Sequence, residues 1–124
     1  MEILTHPDCG NSPKMKLIQE LTILFASYQI EKVTEYLAED VKWTLVGDQP
    51  IEGKEHFAAV LREMSGTKTS KLTIRQILTH GKEAAVHGEM GMEDGKVYSF
   101  ADFYEFKSAG SNKVKAIVSY VISV

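Results

Sequence analysis

The sequence has too few cysteines to form a disulfide bond and too few basic residues to bind a polyanion. Cys9 is the single cysteine among 124 residues, so no internal disulfide can form and no second thiolate is present for a redox or zinc pair. Lysine and arginine number 14 against 17 aspartate and glutamate, which leaves a formal net charge of -3. Binding to nucleic acid by neutralising phosphates needs a basic surface, so we expect no nucleic-acid partner.

Long apolar runs are also missing. No stretch approaches the roughly 20 apolar residues that a membrane-spanning helix needs, and the first residues, MEILTHPDCG, lack the basic start and apolar run of a signal peptide. No metal-ligand spacing such as HxH or HExxH and no glycine-rich phosphate loop occurs, so we expect no metal and no cofactor. Together with the lone thiol, these absences favour a cytoplasmic protein without a membrane partner.

The remaining composition is that of one folded unit. Hydrophobic residues make up 44% and charged residues 25% of the chain, and no repeat or linker divides it. We therefore expect a single domain over residues 1–124. Two prolines, a glycine and three turn-forming residues crowd into residues 6–13, so residues 1–12 are predicted to form an irregular N-terminal arm.

Helical spacing of apolar residues dominates the first half of the chain. Ser12 and Pro13 suit the first positions of a helix. A second, short helix is predicted from residue 30 to about residue 40, and a third begins after Gly53 and ends before Gly66. The apolar residues of the three helices are Leu17, Ile18, Leu21, Leu24, Phe25 and Tyr28, then Ile30, Val33, Tyr36 and Leu37, then Phe57, Val60, Leu61 and Met64.

Alternating apolar and polar residues dominate the second half. A short strand is predicted at residues 41–45, and four longer strands at 71–79, 84–92, 96–107 and 113–124, joined by turns of hairpin length. This order describes an α+β domain with three N-terminal helices packed on a curved, mostly antiparallel sheet. The concave side of such a sheet can leave a cavity.

Asp102 is the most informative candidate for a chemical role. It shares one face of its predicted strand with four aromatic residues, Tyr98, Phe100, Tyr104 and Phe106. If this face looks into a cavity, desolvation favours the protonated acid, which can donate a hydrogen bond to a developing oxyanion. The alternative is an aspartate at the rim of the sheet, bonded to a backbone amide or to a nearby lysine.

His87 and Glu89 share one face of the preceding strand and are the candidate acid and base. If they face the cavity beside Asp102, they can transfer protons or activate a water molecule. The opposite face of that strand is apolar, so parity alone favours the reverse, with His87 and Glu89 in solvent. Trp43 points inward on its own strand, either as the wall of a pocket for a planar ligand or as ordinary core.

Four segments, in this order and at this spacing, resemble the nuclear transport factor 2-like superfamily, and its SnoaL-like branch most closely. They are IEKVTEYLAEDV at residues 30–41, IEGKE at 51–55, FADFYEF at 100–106 and KVKAI at 113–117. The resemblance implies a cone-shaped, cystatin-like fold with a pocket, frequently in a homodimer. Members of the superfamily include isomerases, cyclases, hydrolases, dehydratases and binding modules, so the fold does not determine the function.

Around Asp102 the sequence is similar to ketosteroid isomerase, in which a protonated aspartic acid donates a hydrogen bond to the reacting oxygen. The register that this similarity implies turns His87 and Glu89 toward the pocket. Our first hypothesis is therefore a pocket for a small apolar organic molecule, with acid-base catalysis that needs no cofactor. In it Asp102 is the proton donor or oxyanion partner, His87 is the base, Glu89 is its partner, and the walls are Trp43, Tyr98, Phe100 and Tyr104.

Two parts of the isomerase site have no counterpart in this sequence. The position of its general base holds Thr44 or Leu45, and its oxyanion-hole tyrosine would fall near Leu21, about two turns from Tyr28. Their absence favours a second hypothesis, a ligand-binding module without catalysis. A third hypothesis is an interaction protein whose interior is filled by side chains and whose homodimer is formed by an outer sheet face, with Ile117, Ser119 and Val121 or their opposite-parity neighbours.

Overall fold

Three helices pack against a seven-stranded sheet in the computed structural model, which describes all residues, 1–124. The elements are β1 (Glu2–Thr5), α1 (Pro13–Ala26), α2 (Ile30–Thr34), β2 (Leu37–Leu45), β3 (Ile51–Glu52), α3 (Lys54–Met64), β4 (Thr69–His80), β5 (Glu83–Met92), β6 (Val97–Phe106) and β7 (Val114–Ser123). The strand order is β1-β4-β5-β6-β7-β2-β3, and only the β1/β4 and β2/β7 pairs are parallel. The predicted α+β class is confirmed, and the four long strands lie within two residues of their predicted bounds.

The first helix begins at its predicted cap. Ser12 has an extended backbone, with φ -138°, and its hydroxyl accepts a hydrogen bond at 3.2 Å from the backbone amide three residues on. Pro13 occupies the first turn, where its missing N–H group costs nothing. Lys14 Nζ donates to the Ser111 carbonyl at 2.8 Å and lies 3.8 Å from the centre of the Phe106 ring. These two contacts attach the start of α1 to the sheet at the loop between β6 and β7.

The N-terminal arm contains a strand that the sequence analysis does not predict. Residues 1–12 are not irregular throughout, because β1 pairs in parallel with β4, from Glu2 opposite Lys71 to Thr5 opposite Ile74. Residues 6–12 do follow an irregular path. All four residues of β1 are exposed at the edge of the sheet, and so short an exposed segment has no alternating pattern to recognise.

The second helix is shorter than predicted, and the strand after it is longer. α2 ends at Thr34 and β2 begins at Leu37, so the prediction of helix up to about residue 40 is wrong. The register of β2 against β7 shifts between Leu37 and Lys42. Such a bulge breaks the two-residue period of a strand, and it buries the neighbours Leu37 and Ala38 together with Val41. Their spacing therefore imitates the apolar stripe of a helix.

A second bulge bends the sheet where β4 meets β5. Arg75 has no partner on β5, because the residues on either side of it pair with residues 88 and 87. A Cβ atom at Gly88 would overlap the Thr73 carbonyl oxygen and lie 3.2 Å from the Ile74 Cα atom. The two strands approach this closely only because residue 88 is glycine, and the bend helps to curve the sheet around the helices.

The core lies between the helices and the inner face of the sheet. Trp43 of β2 stacks on Phe57 of α3 with ring centres 4.4 Å apart, and Phe25 of α1 packs edge-on against Trp43 at 5.9 Å. Trp43 and Phe57 are 4% and 0% exposed, so this aromatic cluster ties two helices to the sheet. No helix of the protein is both long enough and apolar enough to cross a membrane.

We expect the substitution Gly88→Ala to destabilise the protein by roughly 2–3 kcal/mol, because the new methyl group forces β4 and β5 apart. Urea unfolding followed by Trp43 fluorescence measures the change. Gly91→Ala on the same strand is the matched control, because its Cβ would lie 3.7 Å from the Lys71 Cβ, an ordinary contact. Equal unfolding midpoints for the two variants would contradict the role of Gly88.

Candidate functional site

A hollow remains between the helices and the inner face of the sheet. Its cavity volume is about 80 Å³, which is room for several water molecules and is smaller than the roughly 300–1,000 Å³ of most small-molecule sites. Sixteen residues line it, of which 13 are hydrophobic, and the other three are Thr22, Asp102 and Ser119. The third hypothesis requires an interior that is filled by side chains, and this interior is not filled.

Cross-strand pairs order the hollow from its open end inward. Three pairs on β6 and β7 line it: Phe100 with Val121, Asp102 with Ser119, and Tyr104 with Ile117. Val121 is 48% exposed, whereas Tyr104 is 3% and Ile117 is 2% exposed. The open end therefore lies at the level of Val121, Asp102 lies midway, and Tyr104 lies toward the closed end.

Asp102 is the only carboxylate that lines the hollow, and no lysine, arginine or histidine lines it. Asp102 is half-buried, and desolvation among the apolar side chains around it raises its pKa from 3.8 to about 6, because an ionised carboxylate loses hydration there. Hydrogen bonding from the Ser119 hydroxyl acts in the opposite direction and lowers the pKa. Asp102 therefore gains and loses its proton close to neutral pH, where a general acid or base is most effective.

Ser119 connects Asp102 to the aromatic core. The indole Nε1 of Trp43 donates a hydrogen bond to Ser119 Oγ at 3.0 Å, and this bond is buried. Ser119 is itself 5% exposed. Because its oxygen already accepts from Trp43, the hydroxyl proton is free to point at Asp102, its cross-strand partner. Residues of β2, β7 and β6 thus form one chain of hydrogen bonds that ends on the carboxylate.

Two phenols share the hollow with Asp102. Tyr104 lies two residues further along the same face of β6, and burial, together with the charge of Asp102, raises its pKa well above 10.0. Tyr28 follows α1 and lines the hollow near Thr69 and Tyr98; burial raises its pKa, and a hydrogen bond with Thr69 lowers it. Both phenols are protonated at neutral pH and can donate hydrogen bonds.

His87 and Glu89 do not enter the hollow, so the expectation that they face Asp102 is wrong. Val86, not His87, pairs with Asp102, and His87 is exposed on the outer face of the sheet. Glu89 forms a two-pronged ion pair with Arg75 on that face, at 2.6 Å to Nη2 and 3.0 Å to Nε, which lowers the pKa of Glu89. The apolar side of β5 faces inward because burying it removes hydrocarbon from water without burying unpaired polar groups.

The expected wall residues divide into two groups. Trp43, Phe100 and Tyr104 line the hollow, whereas Tyr98 is half-buried beyond Phe100 and does not line it. The sequence analysis does not assign Tyr28 to the pocket and considers Ser119, with Ile117 and Val121, for an outer face, whereas all four residues line the hollow. Tyr28 continues the apolar stripe of α1, and that signal could have found it; Ser119 gives no local signal.

The structure also shows where the residues lie that were compared with the general base and the tyrosine of ketosteroid isomerase. Leu45 lines the hollow and Thr44 does not, so β2 presents no acid or base there. Leu21 is fully buried in the core and does not line the hollow. No group of three or more histidine, cysteine or acidic side chains lies close enough together to hold a metal ion.

A family model described as a SnoaL-like domain matches residues 18–113 of the chain. No curated protein matches it. Three similar solved structures are a putative SnoaL-like polyketide cyclase from Shewanella denitrificans, an epoxide hydrolase from M. tuberculosis and a putative ketosteroid isomerase from Kribbella flavida.

The three structures share the fold with this chain at low sequence identity. The cyclase is 14% identical, with a TM-score of 0.75 over 90% of this chain and 92% of that one. The hydrolase is 16% identical, with a TM-score of 0.72 over 86% and 80%, and the isomerase is 21% identical, with a TM-score of 0.72 over 88% and 77%. Other similar structures are described as NTF2-like, and the expected cone-shaped fold is confirmed.

The raised pKa of Asp102 makes the stability of the protein depend on pH. The folded state holds the proton more tightly than the unfolded state, so this contribution is present below about pH 4 and is lost as the pH rises through about 6. We expect Asp102→Asn to gain roughly 3 kcal/mol relative to the wild type between pH 3 and pH 7. Urea unfolding of both proteins at several pH values measures this gain. Parallel curves would show that Asp102 titrates normally.

Proposed function

The chain belongs to the SnoaL-like domain family, and we propose that its hollow binds a small, mainly apolar organic molecule with a carbonyl group and moves a proton on it. The observation that carries the proposal is the single carboxylate in an apolar enclosure: Asp102, whose pKa of about 6 lies near neutrality. A carboxyl group in such surroundings is poised for acid-base work.

Asp102 and Tyr104 divide the work between them. Above pH 6 the Asp102 carboxylate is the base that takes a proton from the carbon next to the carbonyl. The Tyr104 phenol stays protonated and donates a hydrogen bond to the carbonyl oxygen, where negative charge develops. Two residues on one face of a strand are roughly 7 Å apart, which leaves room for a carbonyl group between them.

The proton is then returned by the same group. Asp102, now protonated, gives the proton back to the substrate at the same carbon or at another one, so the reaction consumes no cofactor. Ser119 holds the carboxylate in place through its bond to Trp43, and Phe100 and Trp43 supply apolar walls. The three structural relatives carry the names of a cyclase, a hydrolase and an isomerase, so the fold alone does not choose among reactions.

A ligand-binding module without catalysis is the second candidate. The observation that favours it is the absence of a histidine, a lysine or a second carboxylate among the lining residues. With one acid-base group, the hollow can transfer protons only if that group serves as both acceptor and donor. In a binding module, Asp102 and Tyr104 would instead hold a polar group of the ligand.

We also propose that the protein is located in the reducing cytoplasm, where the free thiol of Cys9 is stable. In addition, we propose that two copies form a homodimer through the outer face of the sheet. Monomers rarely leave large contiguous apolar patches exposed, and this face carries Leu78 at 58%, Phe103 at 51% and Ile122 at 63% exposure. Two ion pairs on this face, Arg75 with Glu89 and Lys82 with Glu105, neutralise part of its charge. Lys71 and Glu83, which are also exposed there, carry opposite charges, so the face has little net charge to repel a second copy.

Proton exchange on 2-tetralone, a small apolar ketone, tests the catalytic proposal. We expect the protein to accelerate exchange of the protons next to the carbonyl in D2O, followed by NMR, with a rate that rises as the pH passes 6. Asp102→Asn should lose roughly 100- to 10,000-fold of the acceleration, and Tyr104→Phe roughly 100-fold.

His87→Ala is the matched control for this experiment, because His87 lies on the outer face, and its exchange rate should equal that of the wild type. If 2-tetralone raises the melting temperature but is not exchanged, the protein is a binding module. Exchange that persists in Asp102→Asn would refute the role of the carboxylate.

The dimer is tested by analytical ultracentrifugation. We expect the wild type to sediment as a dimer and Phe103→Glu as a monomer, because a buried unpaired charge opposes association. Ile3→Glu is the control, since Ile3 is also exposed but pairs with Leu72, which lines the hollow, and so lies off the outer face. A wild-type monomer, or a Phe103→Glu dimer, would contradict this part of the proposal.

A further inference from the structure

Tyr28 adopts a backbone conformation that is rare for its residue type. Its φ is 54°, and it is the only non-glycine residue with a positive φ. At the end of α1 the Tyr28 amide donates to the Phe25 carbonyl at 3.1 Å, and the Gln29 amide donates to the Leu24 carbonyl at 2.9 Å. This pair of bonds defines a helix ending whose left-handed position is usually glycine. A bulky aromatic residue there is strained, and such strain concentrates at functional sites.

The side chain of Tyr28 lies at the open end of the hollow. It lines the hollow and lies near the Thr69 hydroxyl at the start of β4, which lowers the pKa of Tyr28 while burial raises it; the Thr69 hydroxyl itself donates to Met92 Sδ at 3.9 Å. Lys68 Nζ lies over the Tyr28 ring, 5.7 Å from its centre. The ring therefore extends from the end of α1 to the start of β4, with solvent on one side and apolar lining on the other.

We propose that Tyr28 is a specificity-determining residue that closes the open end of the hollow and selects which molecules reach Asp102. The left-handed backbone directs the ring from the end of α1 to this end of the hollow, where it lies near Thr69 and Lys68 at the start of β4. This role of Tyr28 depends on the proposed function in one respect only, the kind of molecule that is admitted, which is a small apolar ketone. That Tyr28 closes the hollow can be tested without a ligand.

Trp43 reports on access to the hollow. It is the only tryptophan, it is 4% exposed, and it lines the hollow. We expect acrylamide to quench its fluorescence with a several-fold larger constant in Tyr28→Gly and Tyr28→Ala than in the wild type. Tyr28→Phe keeps the ring and should be quenched less than the Gly and Ala variants. If the Gly and Ala variants are quenched like the wild type, Tyr28 does not close the hollow and the proposal fails.

Two controls separate closure from loss of stability. Tyr36→Ala removes another half-buried tyrosine, one that does not line the hollow, and should leave the quenching constant unchanged. Tyr28→Gly should melt at a higher temperature than Tyr28→Ala, because only glycine adopts a positive φ without strain; the opposite order would contradict the strained backbone.

Selection is measured with two ketones of different size. The affinity for three-ring fluorenone relative to two-ring 2-tetralone should rise several-fold in Tyr28→Gly and stay unchanged in Tyr28→Phe. An unchanged ratio in Tyr28→Gly would overturn the selective role. Failure of the wild type to exchange protons on 2-tetralone counts against the proposed function alone, since the quenching result does not depend on it.

Discussion

The free-energy cost of removing the Asp102 carboxylate from water determines the chemistry of the inner face of this protein. Asp102 lies in a hollow with no cation to balance its charge, and its environment therefore favours the neutral acid. The hydroxyl of Ser119 offsets part of this cost, and Trp43 holds that hydroxyl in position. The result is a carboxyl group that changes its charge near neutral pH, held by residues of three strands. The proposed proton transfer needs a group of this kind.

The hollow exists because the sheet is bent and the helices do not fill its concave side. The bulge at Arg75 and the close approach at Gly88 bend β4 against β5. Tyr28 occupies a backbone conformation that costs a residue with a side chain about 1–2 kcal/mol, and its ring lines the open end. These features lower the stability that straighter strands and a glycine at position 28 would provide, and each of them shapes the space around Asp102.

The two faces of the sheet carry different chemistry. The inner face is mainly apolar and contains Asp102 and Ser119. The outer face combines ion pairs such as Arg75 with Glu89 and exposed rings such as Phe103 and Tyr120, which contact each other edge-on at 6.0 Å. His87 belongs to the outer face. The proposed proton transfer therefore concerns the inner face, and the proposed dimer contact concerns the outer face.

Local sequence patterns were sufficient to predict most of the fold and the inward face of the strand that carries Asp102. The alternation along residues 69–123 places the long strands, and four aromatic residues beside Asp102 turn that face inward because burying rings outweighs desolvating one acid. The inward face of β5 was undetermined, since either parity is plausible in isolation. In the structure Val86 pairs with Asp102, so the side chain of Val86 lies on the inner face of the sheet. The bulge in β2 interrupts the two-residue spacing of apolar side chains along this strand. The first part of β2 was therefore predicted to be helix.

The sequence by itself determined which residues are able to do chemistry, and the tertiary structure decided which of them meet. Trp43 and Ser119 are 76 residues apart along the chain, and no local pattern contains that contact. Tyr28 reaches the hollow only through the path of the chain after α1. Strand register and backbone path are set by packing over the whole domain, so they become visible only when all the elements are assembled.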